Sequence, residues 1–289
     1  MNIGFIGLGV MGRPMALHLC HAGFSVGVYA RRRGAAEPLV AAGATLSATP
    51  AELASRSDVV VTMVTATADV EEVVLGNDGV LSGARPGAVV IDMSTIAPQA
   101  TRRMAAALAQ RQVRMLDAPV TGGPAGAEAA TLTIMVGGEP AVLDEVRPML
   151  ERLGQQIVHM GGHGAGQVAK ACNQLALLVN AEGVAEALAL GERHGLDPRT
   201  LRQALLGGIA ASRVLEVFGA RMAERQFEPG IATRLYDKDL NIVLDLAREV
   251  GRALPAASVV RKHLDEMIAR GDGSRDLGAL IETVERLQN

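Results

Sequence analysis

Large aromatic side chains are almost absent from this sequence, which has no tryptophan, two tyrosines and four phenylalanines. A core without large rings must be built mostly from small aliphatic side chains, which lets helices pack closely on sheets and on each other. Apolar residues nevertheless make up 49% of the 289 residues, and charged residues make up 20%. This composition excludes a disordered chain, and at this length two domains are expected.

Cysteine is also scarce, with only Cys20 and Cys172 in the whole chain. The two residues are far apart, and neither belongs to a Cys-x-x-Cys motif. Such a pair excludes a disulfide framework, so we expect a reduced, cytoplasmic setting. Both residues lie in apolar, helical-looking stretches, and we predict that both are small buried hydrophobic side chains.

The sequence also lacks a large excess of charge of either sign, because 28 basic residues nearly balance 31 acidic ones and give a net charge of −3. Nucleic acid and anionic membrane surfaces are therefore not expected as partners. No run of 18 apolar residues is free of charged side chains, so we predict no membrane-spanning segment. The apolar start MNIGFIGLGV lacks the basic residues of a signal peptide and is interpreted as a buried strand.

From Met1 to about His159, short runs rich in β-branched residues alternate with helical patterns, which is typical of βαβ units and a parallel sheet. Pro14, Pro98 and Pro140 each stand near the beginning of a helical stretch, where the missing amide hydrogen costs nothing. The strands are predicted at Ile3–Ile6, Val26–Tyr29, Val59–Met63, Val89–Asp92, Arg114–Leu116, Leu132–Val136 and Gln156–Val158.

A glycine-rich turn follows the first of these runs and reads Gly7-Leu8-Gly9-Val10-Met11-Gly12, a match to GxGxxG. The match gains weight from its setting, because it follows a strand and leads into the helical stretch Arg13–Ala22. The first glycine permits the tight turn, the second lets backbone approach a pyrophosphate, and the third lets helix pack on strand. We predict a dinucleotide-binding turn at the helix N-terminus, the alternative being a plain strand-to-helix turn.

The end of the second predicted strand carries no acidic residue. In NAD-binding proteins an Asp or Glu about 20 residues after the glycine motif binds the ribose hydroxyls. Here the strand ends in Val28-Tyr29-Ala30-Arg31-Arg32-Arg33, and arginine suits a 2′-phosphate or stacks on adenine. We predict a preference for NADP(H), chiefly through Arg31, with NAD(H) as the second cofactor; the alternative is a solvated basic cap.

After the loop 161–166, the pattern changes to one helical run from about Gln167 to His194, with Gly195 as its stop. A new helix begins at Asp197-Pro198, with an N-cap and a proline at its first position. We therefore predict an α/β Rossmann-type N-terminal domain and an all-α C-terminal domain joined by a long helix. The predicted parts are a dinucleotide-binding domain at 1–162, the long helix at 163–194, and a helical substrate and oligomerisation domain at 195–289.

Four segments of the sequence together form a recognisable pattern: GLGVMGRPM at Gly7–Met15, DAPVTGG at Asp117–Gly123, GAGQVAKACNQ at Gly164–Gln174 and YDKDL at Tyr236–Leu240. In this order they resemble the β-hydroxyacid dehydrogenase family, which includes 3-hydroxyisobutyrate dehydrogenases and tartronate semialdehyde (2-hydroxy-3-oxopropionate) reductases. The resemblance spans nearly the whole chain and implies the same two-domain architecture.

The resemblance assigns the catalytic role to Lys170. The matching lysine of the family donates a proton to the carbonyl oxygen during reduction and withdraws it during oxidation. This role suits the chemistry, because hydride delivery leaves a developing alkoxide that needs a proton or a positive charge. Lys170 is the only lysine before Asp237; the alternative is a surface lysine on the long helix.

Two amide residues, Asn173 and Gln174, follow Lys170 by three and four residues and project near its face of the helix. Either could orient the substrate, and we favour Asn173 as the catalytic partner and Gln174 as a substrate-binding residue. A purely structural role in the helix is the alternative for both.

The remaining site residues are also implied by the resemblance. The loop Thr121-Gly122-Gly123 is similar to the substrate loop of the family, and a hydroxyl beside glycine amides suits a carboxylate; the alternative is a plain turn after Pro119. Lys238 would supply charge near the substrate or nicotinamide, unless it only pairs with Asp237 or Asp239.

Residues at the ends of the third and fourth strands are expected to contact the cofactor, since an open α/β sheet binds its ligand there. These are Met63 and Val64, and Thr95, which the resemblance places on the nicotinamide side. The alternative for Thr95 is an N-cap of the helix starting near Pro98. No metal site is expected, because His159 and His163 lie in a glycine-rich loop.

The expected reaction is NADPH-dependent reduction of tartronate semialdehyde to glycerate, or oxidation of a related 3-hydroxy acid. The stretches 207–212 and 227–230 look more like the semialdehyde reductases. Alternatives are a 3-hydroxyisobutyrate dehydrogenase, a succinic semialdehyde or glyoxylate reductase, an imine reductase, which usually lacks the lysine, and a non-catalytic NADP-binding module. The partner is a small carboxylate-bearing aldehyde or hydroxy acid, and by family analogy the chain forms a homodimer or homotetramer.

Overall fold

The computed structural model describes residues 1–228 and 230–287, so Pro229 of the stretch 227–230 lies outside the described residues. The chain forms two compact units, Met1–Lys170 and Ala171–Asn289. The fold class is an α/β Rossmann-type N-terminal domain followed by a helical C-terminal domain, as predicted. The long helix, predicted from about Gln167, starts at Ala165 and ends at Arg193, so that its first residues belong to the first unit and the rest to the second.

The first unit is built on one sheet of nine strands within the described residues. The strands are β1 Asn2–Ile6, β2 Ser25–Tyr29, β3 Thr45–Leu46, β4 Val59–Thr62, β5 Val89–Asp92, β6 Arg114–Asp117, β7 Val120–Thr121, β8 Leu132–Gly138 and β9 Gly154–Gly161. Their order is β3-β2-β1-β4-β5-β6-β8-β7, with β9 paired to β8.

The sheet is mostly, but not wholly, parallel. Strands β1 to β6 pair in parallel, whereas β8 runs antiparallel to β6 and β7. The expectation of a parallel sheet is therefore wrong at this edge. The two-residue strands β3 and β7 were not predicted, because so short a run carries no periodic signal.

Helices cover both faces of the sheet: α1 Gly12–His21, α2 Glu37–Ala41, α3 Pro50–Ser55, α4 Thr67–Leu75, α5 Val80–Gly83, α6 Pro98–Ala109, α7 Gly123–Glu128 and α8 Pro140–Leu150. Successive side chains of a strand point to opposite faces, so a strand covered on both faces is apolar throughout. In β4, Val59 and Val61 join one buried cluster and Val60 joins the other.

The second unit is helical and contains most of α9 Ala165–Arg193, then α10 Pro198–Leu206, α11 Arg213–Glu224, α12 Thr233–Glu249, α13 Pro255–Ala269 and α14 Leu280–Arg286. Gly195 ends the long helix with a φ of +82°, as predicted. Asp197 caps α10 by accepting the amide of Thr200 at 2.9 Å. Alanine, valine and leucine form most of the core between these helices, which also contains Phe218 and Tyr236.

The long helix α9 is apolar on more than one side. Among the described residues, it alone is long and apolar enough to cross a membrane, with a mean hydropathy of 1.2 over its most apolar window. Half of that window is buried inside the protein, and the core helix of a soluble protein passes the same test. The length and composition of α9 are therefore weak evidence for a membrane span. The prediction that Cys172 is buried is wrong, because it lies on an exposed side of α9, whereas Cys20 is half-buried.

Candidate active site

The glycine turn connects β1 to α1 in a conformation that two of its glycines require. Gly7 has a φ of +99°, and a Cβ there would lie 2.2 Å from the carbonyl oxygen of Met63. A Cβ on Gly12 would lie 1.9 Å from the carbonyl oxygen of Gly7. By contrast, a Cβ on Gly9 would meet no described atom within 4 Å.

The turn fits the pyrophosphate of a dinucleotide. Space is open beside Gly9, and no side chain of the described residues caps the start of α1 at Met11. Uncapped amides at a helix N-terminus bind anions, and the helix dipole adds to the attraction. Leu8 is buried and Val10 is exposed, so the turn presents mainly backbone to a ligand.

The carboxyl ends of β1, β4, β5 and β6 lie along one edge, because these strands are parallel neighbours. Met63 and Val64, which follow β4, are half-buried, and Val64 donates its amide to Ser94 Oγ at 3.0 Å. Thr95 is half-buried after β5. The N-cap of α6 is Ala97, so the alternative interpretation of Thr95 as that cap is wrong.

Arg31 follows β2 and has a carboxylate neighbour that the sequence pattern did not reveal. Its guanidinium lies 3.6 Å from Asp69 and its side chain is 78% exposed. Asp69 also accepts the amide of Ala66 at 3.1 Å, at the start of α4. So exposed an ion pair contributes little free energy, which leaves Arg31 able to bind a further anion.

A buried carboxylate, Asp92, ends β5 and was missed by sequence reasoning. Its Oδ1 accepts the hydroxyl of Thr62 at 2.8 Å and the amide of Ser94 at 3.1 Å. Burial raises the pKa of Asp92 to about 6, although these hydrogen bonds act in the opposite direction. A single acidic residue at the end of an apolar strand was the available signal.

Replacing Asp92 with asparagine should change how stability depends on pH. The folded-state pKa of about 6 lies above the ordinary 3.8, so the contribution of Asp92 is full below about pH 4 and is lost as pH rises through about 6. Between these limits, the unfolding free energy of the wild type should fall by up to about 3 kcal/mol relative to the variant. Urea unfolding over this range measures the difference.

The exposed Asp144 on α8 provides the matched control, because its replacement by asparagine should leave the pH dependence of unfolding unchanged. Parallel pH profiles for the wild type and the Asp92 variant would contradict the prediction.

The start of α9 is fixed to the ends of β5 and β6. Asp117, fully buried at the end of β6, accepts the amides of Gly164 at 2.8 Å and Gln167 at 3.0 Å. Burial raises the pKa of Asp117 above its ordinary value, although these backbone hydrogen bonds act in the opposite direction. A negative charge at a helix N-terminus is also favoured by the helix dipole.

Gln167 forms a second connection in the same turn. Its Oε1 accepts the amide of Ile96 at 3.1 Å, and its Nε2 donates to the carbonyl oxygen of Ser94 at 2.8 Å. Lys170 follows one turn later and is only 7% exposed. These contacts hold the beginning of the Lys170 helix at the carboxyl edge of the sheet, which sequence spacing did not predict.

The segment Thr121-Gly122-Gly123 begins at the last residue of β7 and leads into α7. Thr121 is half-buried and pairs with Thr133 across β7 and β8. The two glycines have φ values of +130° and +62°, which L side chains rarely adopt. The glycines therefore let the chain turn tightly into α7.

In the second unit, three predicted residues are connected by one carboxylate. Asn173 Nδ2 donates to Gln174 Oε1 at 2.9 Å, and Gln174 Nε2 donates to Asp239 Oδ2 at 2.6 Å. Lys238 Nζ lies 3.0 Å from Asp239 Oδ1, so the predicted pairing of Lys238 with a neighbouring aspartate does occur. Asp237 pairs with Arg261 instead.

Both histidines of the glycine-rich region contact backbone. The Nε2 atoms of His159 and His163 lie 2.8 Å and 3.0 Å from the carbonyl oxygens of Gly138 and Met115. Within the described part of the chain, no group of three or more His, Cys, Asp or Glu side chains could hold a metal ion.

Comparison with known proteins agrees with this architecture. Residues 2–162 match the model for the NAD binding domain of 6-phosphogluconate dehydrogenase. Residues 164–284 match the model described as NAD-binding of NADP-dependent 3-hydroxyisobutyrate dehydrogenase. The 2-hydroxy-3-oxopropionate reductase of Escherichia coli is 40% identical over 289 residues, which cover 100% of this chain and 99% of that protein.

Two further relatives align over the full length. The NAD-dependent L-serine dehydrogenase of Pseudomonas aeruginosa is 38% identical, with 99% of each chain covered. The solved structure of Mycobacterium tuberculosis 3-hydroxyisobutyrate dehydrogenase with L-serine superposes with a TM-score of 0.89 at 34% identity, with 99% of each chain covered.

The Rossmann-type sheet and its glycine turn are typical of dinucleotide-binding proteins, and the matching family models and relatives identify a nicotinamide-dependent oxidoreductase. The chain belongs to the β-hydroxyacid dehydrogenase family, and the resemblance carried by its four segments is confirmed. It is an NAD(P)-dependent enzyme that acts on a CH–OH group of small hydroxy acids or on the corresponding semialdehydes.

Proposed function

We propose that this enzyme interconverts tartronate semialdehyde (2-hydroxy-3-oxopropionate) and glycerate and prefers NADP(H). The observation that supports it best is Lys170, a buried lysine on a helix whose first turn is fixed by Asp117 and Gln167. The full-length relative named 2-hydroxy-3-oxopropionate reductase supports the choice of substrate.

In the reducing direction, the nicotinamide supplies the hydride when bound. The carbonyl oxygen of the substrate then gains negative charge, and Lys170 Nζ donates a proton to it. In oxidation the same amine accepts the proton from the hydroxyl. Because Lys170 is nearly buried, water competes little for its proton.

The other residues of the proposed site bind and orient. Thr121-Gly122-Gly123 holds the substrate carboxylate through a hydroxyl and backbone amides. Asn173 and Gln174 orient the substrate, and Lys238 adds positive charge for the carboxylate or nicotinamide. Gly7 to Gly12, Met63, Val64 and Thr95 bind the cofactor.

The test is a substrate panel of tartronate semialdehyde, methylmalonate semialdehyde, succinic semialdehyde and glyoxylate, each with NADPH and NADH. We expect the highest kcat/KM with tartronate semialdehyde and NADPH. Faster turnover of methylmalonate semialdehyde would instead favour a 3-hydroxyisobutyrate dehydrogenase. Tight cofactor binding without turnover of any aldehyde, or of cyclic imines, would favour a non-catalytic module.

Arg31 should decide between the two cofactors. Replacing it with glutamine removes a charge-assisted contact to the 2′-phosphate, so the Kd for NADP⁺ should rise about tenfold and that for NAD⁺ should stay within about threefold. Titration of the free enzyme with each cofactor measures both constants. Arg33→Gln is the matched control, and an equal rise for both cofactors in the Arg31 variant would contradict the role.

We also propose that a second copy of the chain covers an apolar groove of the helical unit. The groove has a volume of about 750 Å³ and is lined by α9 together with parts of α10, α11 and α13. Small residues on α9, including Ala176 and Gly183, would let another helix approach closely. Sedimentation at micromolar concentration should show a dimer or tetramer, and a monomer alone would end this proposal.

A further inference from the structure

The carboxylate of Asp239 has no role in the scheme above, yet it lies at the centre of a polar cluster. It is on α12, with only 8% of the residue exposed. One oxygen accepts Gln174 Nε2 at 2.6 Å, and the other lies 3.0 Å from the ammonium of Lys238. A charge this deeply buried requires such partners.

The negative charge of Asp239 fixes the orientation of the side-chain amide of Gln174. An ionised carboxylate can only accept hydrogen bonds, so Gln174 must turn its NH₂ group toward Asp239. Its carbonyl oxygen then faces the other way and accepts Asn173 Nδ2 at 2.9 Å. The opposite orientation would bring two acceptors to 2.6 Å, so the carboxylate removes the usual ambiguity of an amide side chain.

The fixed orientation of Gln174 also fixes the orientation of the side-chain amide of Asn173. Since its NH₂ group donates to Gln174, its carbonyl oxygen is the end that remains for a ligand. Among the described residues, this bond is the one side-chain hydrogen bond of Asn173. Asn173 is also half-buried rather than enclosed, so a small molecule can reach it.

We propose that Asp239 is a positioning residue that fixes both amides so that Asn173 offers an acceptor, and that this acceptor selects substrates with a hydroxyl group on carbon 2. The inference rests on the proposed function, in which Asn173 orients the substrate. It names the feature of the substrate that this site recognises.

Two stable hydroxy acids isolate that feature. Glycerate and 3-hydroxyisobutyrate share the reacting CH₂OH group and the carboxylate, and they differ on carbon 2, where one has a hydroxyl and the other a methyl. A site built to bond a hydroxyl discriminates strongly against an analogue that lacks it, because the acceptor is then left unpaired.

The test is Asp239→Asn, which keeps the shape but allows the side chain to donate to Gln174 and so to reverse both amides. The kcat/KM for glycerate should fall about tenfold or more, while that for 3-hydroxyisobutyrate should stay within about threefold, so that their ratio falls. A purely structural role would lower both values equally.

Two further variants complete the design. Asp245→Asn, an exposed substitution on the same helix, should leave the ratio unchanged. Asn173→Ala removes the acceptor without touching the buried carboxylate and should lower the ratio as well. With Asn173 already removed, Asp239→Asn should have no further effect on the ratio, since the two act through one contact.

The outcomes separate this inference from the proposed function. If the wild type oxidises glycerate but Asp239→Asn leaves the ratio of the two kcat/KM values unchanged, including by an equal loss for both acids, the inference is overturned and the proposed function stands. If Asp239→Asn does not fold, an unchanged ratio in Asn173→Ala overturns it. A wild-type enzyme that oxidises neither acid overturns the proposed function as well.

Discussion

Replacing Lys170 with alanine will lower kcat by about 100-fold to 10,000-fold, the range that a positioned general acid contributes. The residue is nearly buried and sits one turn after Gln167, whose contacts to Ser94 and Ile96 fix the start of α9. Without the amine, water must supply the proton from a less favourable position. Steady-state kinetics with the preferred substrate measure the loss.

The sequence offers a matched control for this substitution. Lys262 on α13 is exposed, and its replacement by alanine should leave kcat within about twofold. Lys170→Arg should also lose most of its activity, because a guanidinium keeps the charge but does not release its proton near neutral pH. An alanine variant near wild-type kcat would refute the assignment.

Replacing Gly12 with alanine will destabilise the first unit by about 4 kcal/mol or more. The added Cβ would lie 1.9 Å from the carbonyl oxygen of Gly7 and 3.0 Å from the ring of Phe5. The obstructing atom is backbone, so no side-chain rotation relieves the clash, and β1 and α1 would have to move apart. Urea unfolding of the variant measures the loss.

Gly9→Ala separates folding from cofactor binding. No described atom lies within 4 Å of the added Cβ, so the free energy of unfolding should stay within about 1 kcal/mol of the wild type. The Kd for the cofactor should nevertheless rise about tenfold or more, because the methyl group occupies the space that the pyrophosphate needs. Normal binding by this variant would contradict the proposed place of the pyrophosphate.

The sequence predicted well what depends on local pattern. Seven of the nine strands were predicted in place, since most of them are short runs rich in β-branched residues between turns. The glycine turn was predicted from its spacing together with the strand before it and the helix after it, and the close contacts at Gly7 and Gly12 explain why glycine is needed there. The stop at Gly195 and the cap at Asp197 are likewise local signals.

Prediction was weaker where the partner of a residue is remote in the chain. The end of the second strand carries no acidic residue of its own, but the fold brings Asp69 to 3.6 Å from Arg31. The antiparallel pairing of β7 with β8 depends on where the chain returns to the sheet. The spacing of apolar residues in the sequence carries no information about that position. The exposed side of α9 could not be chosen either, because the helix is apolar on more than one side.

Local sequence patterns were sufficient to predict seven of the nine strands, the glycine turn, the family and the candidate catalytic lysine, because each of these signals lies in neighbouring residues. The polar contacts around the proposed site depend instead on how the chain packs in three dimensions. Asp117 meets Gln167 across 50 residues and Asp239 meets Gln174 across 65. A carboxylate buried away from water needs hydrogen-bond donors. The packing of the chain decides which donors lie close enough to supply them.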